Sequence, residues 1–299
     1  MSVLLLLLVL ILIVLPYGIS YLITHAKTRP MDRRLTAMPS DYDVPYQTIW
    51  FDAPALQSGD TTSRVRIHAW YLPQDSARAL IVYAHGLFRS RHEMLERAAW
   101  LWHHGFAGLL LDLRRHGKSG GRLSGMGYLE RLDVEAAVRH ARKLLGWQGP
   151  VVAFGVSMGA AAVLLAAAET PDIDAVIVDS PFLSFESTIS HHLKLVLGLP
   201  RFPIGDLIIL FSRWRVGFQP EEFDLRIAVR KLDDRPILFI AGRADRRMPV
   251  EMQRRLFEQA ATSRKAFVVI PDATHGAAFR SHREMYEQAV LRFLDEVVP

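Results

Sequence analysis

Short apolar runs alternate with amphipathic stretches along most of this 299-residue chain, and that alternation limits the folds open to it. The runs are four or five residues long and mostly continuous, which is typical of strands buried on both faces of a parallel sheet. They lie at 80–84, 108–112, 151–155, 175–179, 237–240 and 267–270. The stretches between them carry apolar residues at three-and-four spacing, which predicts helices. These helices cover 93–104, 130–145, 158–168, 250–261 and 284–297. The sequence therefore predicts an α/β fold whose mostly parallel sheet has helices on both faces.

Two further strands precede these runs. Residues 46–51 and 65–71 have strand character with no helix between them, so they predict an antiparallel pair at one edge of an eight-stranded sheet. The alternation is broken between Phe182 and about Phe223, where no strand–helix unit fits and large apolar side chains are frequent. Because that interval is too long and too apolar for a plain loop, it predicts a helical cap over the strand ends.

The N-terminal residues are strongly apolar. No charged residue occurs from Val3 to Ile23, a stretch that would be about 30 Å long as a helix, enough to cross a bilayer core. This predicts a transmembrane anchor over residues 1–25, then a proline-punctuated linker over 26–45 and the folded domain over 46–299. A cleaved signal peptide is the alternative, since Gly18-Ile19-Ser20 offers small residues at a suitable spacing. No Lys or Arg precedes the apolar run, as a signal peptide would require.

Positive residues follow the apolar segment. Lys27 and Arg29 are succeeded by Arg33 and Arg34, against the single acid Asp32. Because positive flanks stay on the cytoplasmic side, we expect a single-pass membrane protein whose catalytic domain is cytoplasmic. Membrane lipid is thus an expected partner of the N-terminal segment.

Composition excludes several classes of function. The chain has no cysteine, so disulfides, a thiolate nucleophile and cysteine-ligated metals are excluded. The formal net charge is +5, but Lys and Arg are scattered, whereas nucleic-acid binding normally uses a concentrated basic face. We therefore expect no nucleic-acid partner. No histidine pair has the helical spacing of a zinc protease, and we expect no metal and no organic cofactor.

The residues Gly155-Val156-Ser157-Met158-Gly159 match the Gly-x-Ser-x-Gly nucleophile elbow. A buried strand precedes them and an alanine-rich helix follows, which is the context that the motif requires. The turn is so tight that positions two away from the serine must lack side-chain bulk, and Gly155 and Gly159 meet that condition. The motif predicts Ser157 as a nucleophile. A helix N-cap serine beside packing glycines is the alternative.

A serine hydroxyl needs a base to remove its proton and a carboxylate to orient that base. His275 follows the last predicted strand, so we expect it on the same rim of the sheet as Ser157. Asp245 follows the preceding strand, which gives the chain order Ser, Asp, His. Asp179, at the end of an earlier strand, is the main alternative for the acid.

The oxygen of a tetrahedral intermediate needs preorganised N–H donors. We expect one donor to be the backbone of Met158, directly after the nucleophile. The other is predicted to be the backbone of Leu87, in the loop that follows strand 80–84. His85 in that loop is predicted to hold it by hydrogen bonds.

Several motifs occur together in one order and resemble the α/β-hydrolase superfamily. They are Tyr83-Ala84-His85-Gly86, Asp112-Leu113-Arg114-Arg115-His116-Gly117-Lys118-Ser119, the nucleophile elbow, Gly242-x-x-Asp245 and His275-Gly276. The set is most similar to the branch of esterases, monoacylglycerol lipases and serine aminopeptidases, and it extends from about residue 46 to the C-terminus. Arg115 departs from the pattern, since relatives often have glycine there. The resemblance implies the α/β-hydrolase fold with a cap over about 182–223.

These residues predict a serine hydrolase that forms an acyl-enzyme from a small-molecule acyl substrate. Carboxylic esters with lipophilic acyl chains are the expected class, because the apolar cap would lie over the nucleophile. Thioester hydrolysis, or amide hydrolysis of the aminopeptidase type, is the alternative, since the same machinery serves all three. A non-catalytic binding protein with this fold is the contrasting hypothesis.

Overall fold

One sheet of eight strands forms the centre of the molecule. The computed structural model describes residues 10–33, 35–55 and 63–298, together with Val3 and Leu8. The strands are β1 Gln47–Pro54, β2 Arg64–Leu72, β3 Leu80–Ala84, β4 Ala107–Asp112, β5 Val151–Val156, β6 Ala175–Asp179, β7 Ile237–Gly242 and β8 Lys265–Ile270. Their order across the sheet is β1-β2-β4-β3-β5-β6-β7-β8.

The sheet is mostly parallel, as predicted. β2 runs antiparallel to both of its neighbours, β1 and β4, and every other pair is parallel. The predicted edge pair of antiparallel strands is thereby confirmed. All residues of β3, β4, β5, β6 and β7 are buried, because helices cover both faces of these strands.

Two hydrophobic cores lie on opposite faces of the sheet. Helices Arg131–Lys143 and Met158–Glu169 bury their apolar side chains in one core, and helices His92–His103 and Arg283–Val297 do so in the other. The predicted helices therefore exist, with ends that differ by a few residues. The remaining helices are Leu15–Thr24, Pro30–Arg33, Phe185–Leu197, Ile204–Val216, Leu225–Arg230, Val250–Gln259 and Ala278–Ser281, with 3₁₀ turns at Pro39–Tyr42 and Pro220–Phe223.

Two helices occupy most of the interval between β6 and β7 in which no strand–helix unit could be fitted. Ser184 begins the first, Phe185–Leu197, by accepting a hydrogen bond from the Ser187 N–H, and Gly198 ends it in the left-handed conformation. The second, Ile204–Val216, turns Ile208, Ile209 and Ser212 inward. We call residues 182–223 the cap.

The N-terminal segment differs from its prediction. In the part of the chain that the structure describes, no helix is both long and apolar enough to cross a bilayer. The predicted transmembrane helix is therefore not found, although residues 1, 2, 4–7 and 9 of it lie outside the described part. What is described is a π-helical turn, Leu10–Val14, followed by helix Leu15–Thr24.

Helix Leu15–Thr24 packs on the cap helix Ile204–Val216. Ser20 Oγ lies 3.0 Å from Ser212 Oγ, and the Arg215 guanidinium donates to Ser20 Oγ at 2.7 Å. The Tyr17 ring meets that of Phe211 edge to face, with 5.5 Å between centroids. The polar side chain of Ser20, in an otherwise apolar helix, thus binds helix Leu15–Thr24 to the cap.

Candidate active site

The nucleophile elbow joins β5 to helix Met158–Glu169. Ser157 lies in the turn with φ 54° and ψ −113°, a conformation that L-residues rarely adopt. A Cβ atom on Gly155 would lie 2.2 Å from the Gly159 carbonyl oxygen, and one on Gly159 would lie 2.1 Å from the Ala84 carbonyl oxygen. Both glycines are therefore required by the close approach of the backbone, and the Ser157 side chain faces a cavity.

The three residues predicted for proton transfer are brought together. The Ser157 hydroxyl donates to His275 Nε2 at 2.8 Å, and the His275 Nδ1–H donates to Asp245 Oδ2 at 2.8 Å. Asp245 is buried, and its Oδ1 accepts from the backbone N–H groups of Arg247 and Met248, both at 2.9 Å. These two bonds fix the carboxylate, and the carboxylate in turn fixes the tautomer of His275.

Asp179, the alternative acid, has other partners. Its Oδ2 accepts from the Tyr286 hydroxyl at 3.1 Å and from Arg97 at 3.5 Å, and its Oδ1 accepts from the Ser180 hydroxyl at 2.9 Å. Burial raises the pKa of this carboxyl, while the positive charge of Arg97 opposes the rise. Its backbone oxygen accepts a hydrogen bond from the Ser157 N–H at 2.8 Å, so Asp179 helps to hold the backbone of the elbow in place.

The loop Gly86–Arg89, named here the oxyanion loop, has one unpaired backbone N–H among the described residues. The Gly86 N–H donates to Glu93 at 2.6 Å, the Phe88 N–H to His116 Nε2 at 3.3 Å, and the Arg89 N–H to the Gly86 oxygen at 3.2 Å. Only the N–H of Leu87 has no partner in the described structure.

Met158 supplies a second free N–H beside Ser157. It is the first residue of its helix, where a backbone N–H has no intrahelical acceptor. Leu87 and Met158 both line the cavity that contains Ser157. The structure therefore brings together the two groups predicted as oxyanion donors and Ser157, the predicted nucleophile.

His85 anchors the start of the oxyanion loop, as predicted. Its Nδ1–H donates to the Gly86 oxygen at 2.7 Å, and its Nε2 accepts from the Leu113 N–H at 3.1 Å. Burial lowers the pKa of His85 to about 3, so the ring is neutral at neutral pH and can make both bonds.

Arg115, which departs from the family pattern, has an unfavourable backbone conformation. Arg115 adopts φ 66°, in the left-handed region where glycine is favoured. The loop around it is nevertheless held: Arg91 forms an ion pair with buried Asp112, and the Lys118 N–H donates to Asp112 at 2.9 Å. Arg115 therefore does not disrupt the loop.

The cavity above Ser157 has a volume of about 240 Å³. Its lining is partly apolar and comes from seven separate parts of the chain. The apolar lining residues are Ile23, Leu87, Phe88, Met126, Val156, Met158, Phe182, Ile189 and Met248. Arg29, Arg89, Arg247 and His192 bring polar groups to the same space. Sequence reasoning missed Ile23 and Arg29, because nothing local connects the N-terminal segment to the nucleophile.

Two further histidines belong to the cap. His191 Nε2 lies 2.8 Å from the Arg246 backbone oxygen, and His192 Nδ1 lies 2.9 Å from the Thr188 oxygen. Neither is bonded to Ser157. No group of three or more metal-ligating side chains occurs among the residues that the structure describes.

Known proteins resemble this chain in both sequence and fold. The sequence model of the serine aminopeptidase S33 family matches residues 75–210. YqkD of Bacillus subtilis, an uncharacterized protein, is 29% identical over 227 residues, which are 75% of this chain and 73% of YqkD. The esterase Pf2001 of Pyrococcus furiosus superposes with a TM-score of 0.73 at 22% identity, covering 92% of this chain and 99% of Pf2001.

The chain has the α/β-hydrolase fold, and its sequence resembles the α/β-hydrolase superfamily. A second solved structure, Est1E from Butyrivibrio proteoclasticus with ferulic acid bound, has a TM-score of 0.61 at 23% identity, covering 78% of this chain and 96% of Est1E. These matches support a hydrolase that acts on an ester or amide bond. Ser157, Asp245 and His275 follow the carboxyl ends of β5, β7 and β8, in the chain order Ser, Asp, His that the α/β-hydrolase fold uses.

Proposed function

We propose that the protein is a serine hydrolase that cleaves carboxylic esters through Ser157, His275 and Asp245. The observation that carries the proposal is the continuous pair of 2.8 Å hydrogen bonds from Ser157 Oγ through His275 to Asp245. Such a chain lets a weakly acidic hydroxyl lose its proton at the moment of attack.

The reaction begins when Ser157 Oγ attacks the acyl carbonyl carbon and its proton moves to His275 Nε2. Asp245 stabilises the imidazolium that forms. The carbonyl oxygen becomes negatively charged and accepts hydrogen bonds from the N–H groups of Leu87 and Met158. His275 then gives its proton to the leaving alcohol, which leaves an acyl group on Ser157.

Water completes the cycle by the same route. His275 removes a proton from a water molecule, which attacks the acyl-enzyme and releases the carboxylic acid and a free Ser157. Each step uses only the groups already named, and no metal or organic cofactor is required by this chemistry.

Lipophilic acyl esters are the proposed substrate class. Phe182 and Ile189 of the cap line the cavity together with Met126 and Met248. The cavity volume of about 240 Å³ is somewhat below the range of roughly 300 Å³ and more that is typical of drug-sized ligands. We therefore propose medium-length acyl chains in preference to acetate.

Hydrolysis of a small amide of the aminopeptidase type is the second candidate. The match to the serine aminopeptidase family over residues 75–210 favours it. Ser157 would attack the carbonyl carbon in the same way in an ester and in an amide. Only the relative rates on the two kinds of substrate therefore distinguish the two functions. A panel of nitrophenyl esters and aminoacyl nitroanilides, compared by kcat/KM, separates the two activities.

Replacement of the nucleophile tests the proposal directly. Ser157→Ala should remove both ester hydrolysis and labelling by a fluorophosphonate probe, while the melting temperature stays near that of the wild type. Ser180→Ala is the matched control, since Ser180 is a buried serine that donates to Asp179 rather than to His275. A purified Ser157→Ala protein that hydrolyses esters at the wild-type rate would reject this nucleophile.

We also propose that the protein associates with a membrane through its N-terminal segment, with the catalytic domain on the cytoplasmic side. Large apolar side chains support this proposal, since Leu22 and Trp214 are 68% and 75% exposed on helices that pack together. Flotation with phosphatidylglycerol vesicles tests it. The full chain should float, and the Leu22→Glu and Trp214→Glu variants should float less. Equal flotation of all three proteins would count against these contacts.

A further inference from the structure

The N-terminal segment Thr24–Asp32 lies directly against the oxyanion loop. The Arg29 N–H donates to the Phe88 backbone oxygen at 2.9 Å, and the Thr28 hydroxyl donates to the Arg89 backbone oxygen at 2.8 Å. Two consecutive carbonyl groups of the loop are thus bound by two consecutive residues of the segment. Residues so far apart in sequence have no local reason to pair.

Thr28 connects two loops of the site. Its Oγ1 also accepts from the Gly117 N–H at 2.7 Å, so one buried hydroxyl joins the oxyanion loop to the loop that follows β4. The hydroxyl donates its one proton to the Arg89 oxygen and accepts a hydrogen bond from the Gly117 N–H. Removing it would leave the Arg89 oxygen and the Gly117 N–H without this partner.

A chain of charges provides a second connection. Asp32 pairs with Arg89 at 2.7 Å, and Arg89 pairs with Glu93 at 3.4 Å. Glu93 accepts the Gly86 N–H at 2.6 Å. The segment therefore reaches the residues on both sides of Leu87, since Gly86 lies before it, and Phe88 and Arg89 lie after it.

The loop needs such support because its conformation is unfavourable. Phe88 has φ 65°, which a residue with a large side chain adopts only where its surroundings hold it. Arg29 lies over the Phe88 ring, with 5.1 Å between the guanidinium carbon and the ring centroid. Among the described residues, the N–H of Leu87 is thus the only backbone N–H of this strained loop without a partner.

We propose that Thr28 and Asp32 are positioning residues for the oxyanion hole, and that the N-terminal segment is part of the catalytic site rather than a linker to it. This inference rests on the proposed serine hydrolase function. Thr28 and Asp32 act through Leu87: they fix the direction of its N–H, which binds the developing negative charge. Arg29 of the same segment, and Ile23 just before it, line the cavity and so would contact a bound substrate.

The signature of such a role is a loss in kcat without a matching rise in KM. Oxyanion donors bind the transition state more strongly than the substrate, so misplacing one slows the chemical step. Removing a donor entirely costs roughly 10²–10³ in kcat, and we expect a misplaced donor to cost about tenfold. The affinity of a trifluoromethyl ketone, which forms a similar oxyanion with the serine, should fall by the same factor.

Four variants of the full chain make the test. Thr28→Val removes the hydroxyl at nearly constant volume, Thr28→Ser keeps it, and Asp32→Asn removes the charge that pairs with Arg89. Thr262→Val is the matched control: Thr262 is buried too, and its Oγ1 accepts from the Arg264 N–H at 3.1 Å, near the start of β8 and away from the cavity.

We expect Thr28→Val and Asp32→Asn to lose about tenfold in kcat and in ketone affinity, with KM within about twofold of the wild type. Thr28→Ser and Thr262→Val should retain the wild-type kcat. A kcat within twofold of the wild type in both Thr28→Val and Asp32→Asn would overturn the inference, as would an equal loss in Thr262→Val. A wild-type chain that neither hydrolyses esters nor reacts with a fluorophosphonate would instead reject the proposed function.

Discussion

At the scale of single residues, the site depends on one strained turn and on what surrounds it. Ser157 is held at φ 54° because β5 enters the turn and a helix leaves it, with glycine on each side where the backbone passes within van der Waals distance. The strain exposes the hydroxyl to the cavity and leaves the Met158 N–H beside it. The same backbone geometry thus positions both the proposed nucleophile and the proposed oxyanion donor.

The two buried aspartates near His275 should respond differently to the same substitution. Asp245→Asn removes the charge that stabilises the imidazolium, so we expect turnover to fall by about 10⁴-fold with little change in melting temperature. Asp179→Asn disturbs the contacts with Arg97 and Tyr286, so we expect mainly a lower melting temperature. Steady-state kinetics and thermal unfolding of both variants check this. If Asp179→Asn lowers turnover by orders of magnitude and Asp245→Asn lowers it only slightly, Asp179 rather than Asp245 is the acid that orients His275.

The meeting of Ser157, Asp245 and His275, the proposed triad, could be predicted from sequence because each of them follows a strand. A parallel sheet brings the carboxyl ends of its strands to one rim, so residues 88 and 30 positions apart in sequence meet there. Glu93 and Thr28 could not be placed in this way. Thr28 bonds to loop backbone across the fold, and Glu93, although it begins a predicted helix, binds the Gly86 N–H of the preceding loop; no sequence motif marks either contact.

At the scale of elements, the strands were the most predictable part of the structure. Continuous apolar runs bounded by polar turns specify buried strands almost to the residue, as β3 and β6 show. The N-terminal segment was the least predictable. Its apolar composition indicates an apolar environment without saying whether lipid or protein provides it, and Ser20 and Thr24 find hydrogen bonds with the cap.

The cap residues that line the cavity lead us to a prediction about substrate size. Phe185, Phe218 and Phe223 pack on one another, whereas Phe182 and Ile189 face the cavity. Since each buried methylene is worth about 0.8 kcal/mol, several added carbons should raise kcat/KM by tens- to hundreds-fold until the cavity is full. We expect kcat/KM across nitrophenyl esters of two to twelve carbons to peak at medium length.

A larger side chain at Ile189 should shift that optimum. Ile189→Phe fills part of the cavity, so the peak should move to shorter acyl chains, while Leu210→Phe on the exposed side of the cap should leave it unchanged. A steady fall in kcat/KM from acetate onward in the wild type would mean that the cap does not bind the acyl chain.

At the scale of the whole molecule, buried and partly buried histidines link the stability of the fold to pH. Burial lowers the pKa of His85, His92, His116, His140 and His192. These rings lie in different parts of the structure, from the oxyanion loop to the cap. Each stays neutral in the folded chain at a pH where the unfolded chain already binds a proton. Acidification therefore favours the unfolded chain before any carboxylate near its ordinary pKa titrates.

His85 allows the size of this effect to be tested. Its pKa is about 3 in the folded chain, against an ordinary value of 6.5 in the unfolded chain. Above pH 6.5 both states are neutral and stability does not depend on this group. As the pH falls below 6.5, only the unfolded state takes up the proton, so the free energy of unfolding decreases, by roughly 2 kcal/mol at pH 5. The loss continues until the pH reaches about 3.

Urea unfolding at pH 7 and pH 5 measures this contribution. The His85→Gln variant should be less stable than the wild type at pH 7, because it loses ring hydrogen bonds to Gly86 and Leu113. Its further loss between pH 7 and pH 5 should be smaller than that of the wild type by roughly 2 kcal/mol, because the titrating group is gone. Equal losses in the two proteins would mean that His85 is protonated in the folded chain, with at least one of its two hydrogen bonds broken. Should His85→Gln fail to fold, His116→Gln makes the same comparison, since burial lowers the pKa of that ring in the same direction.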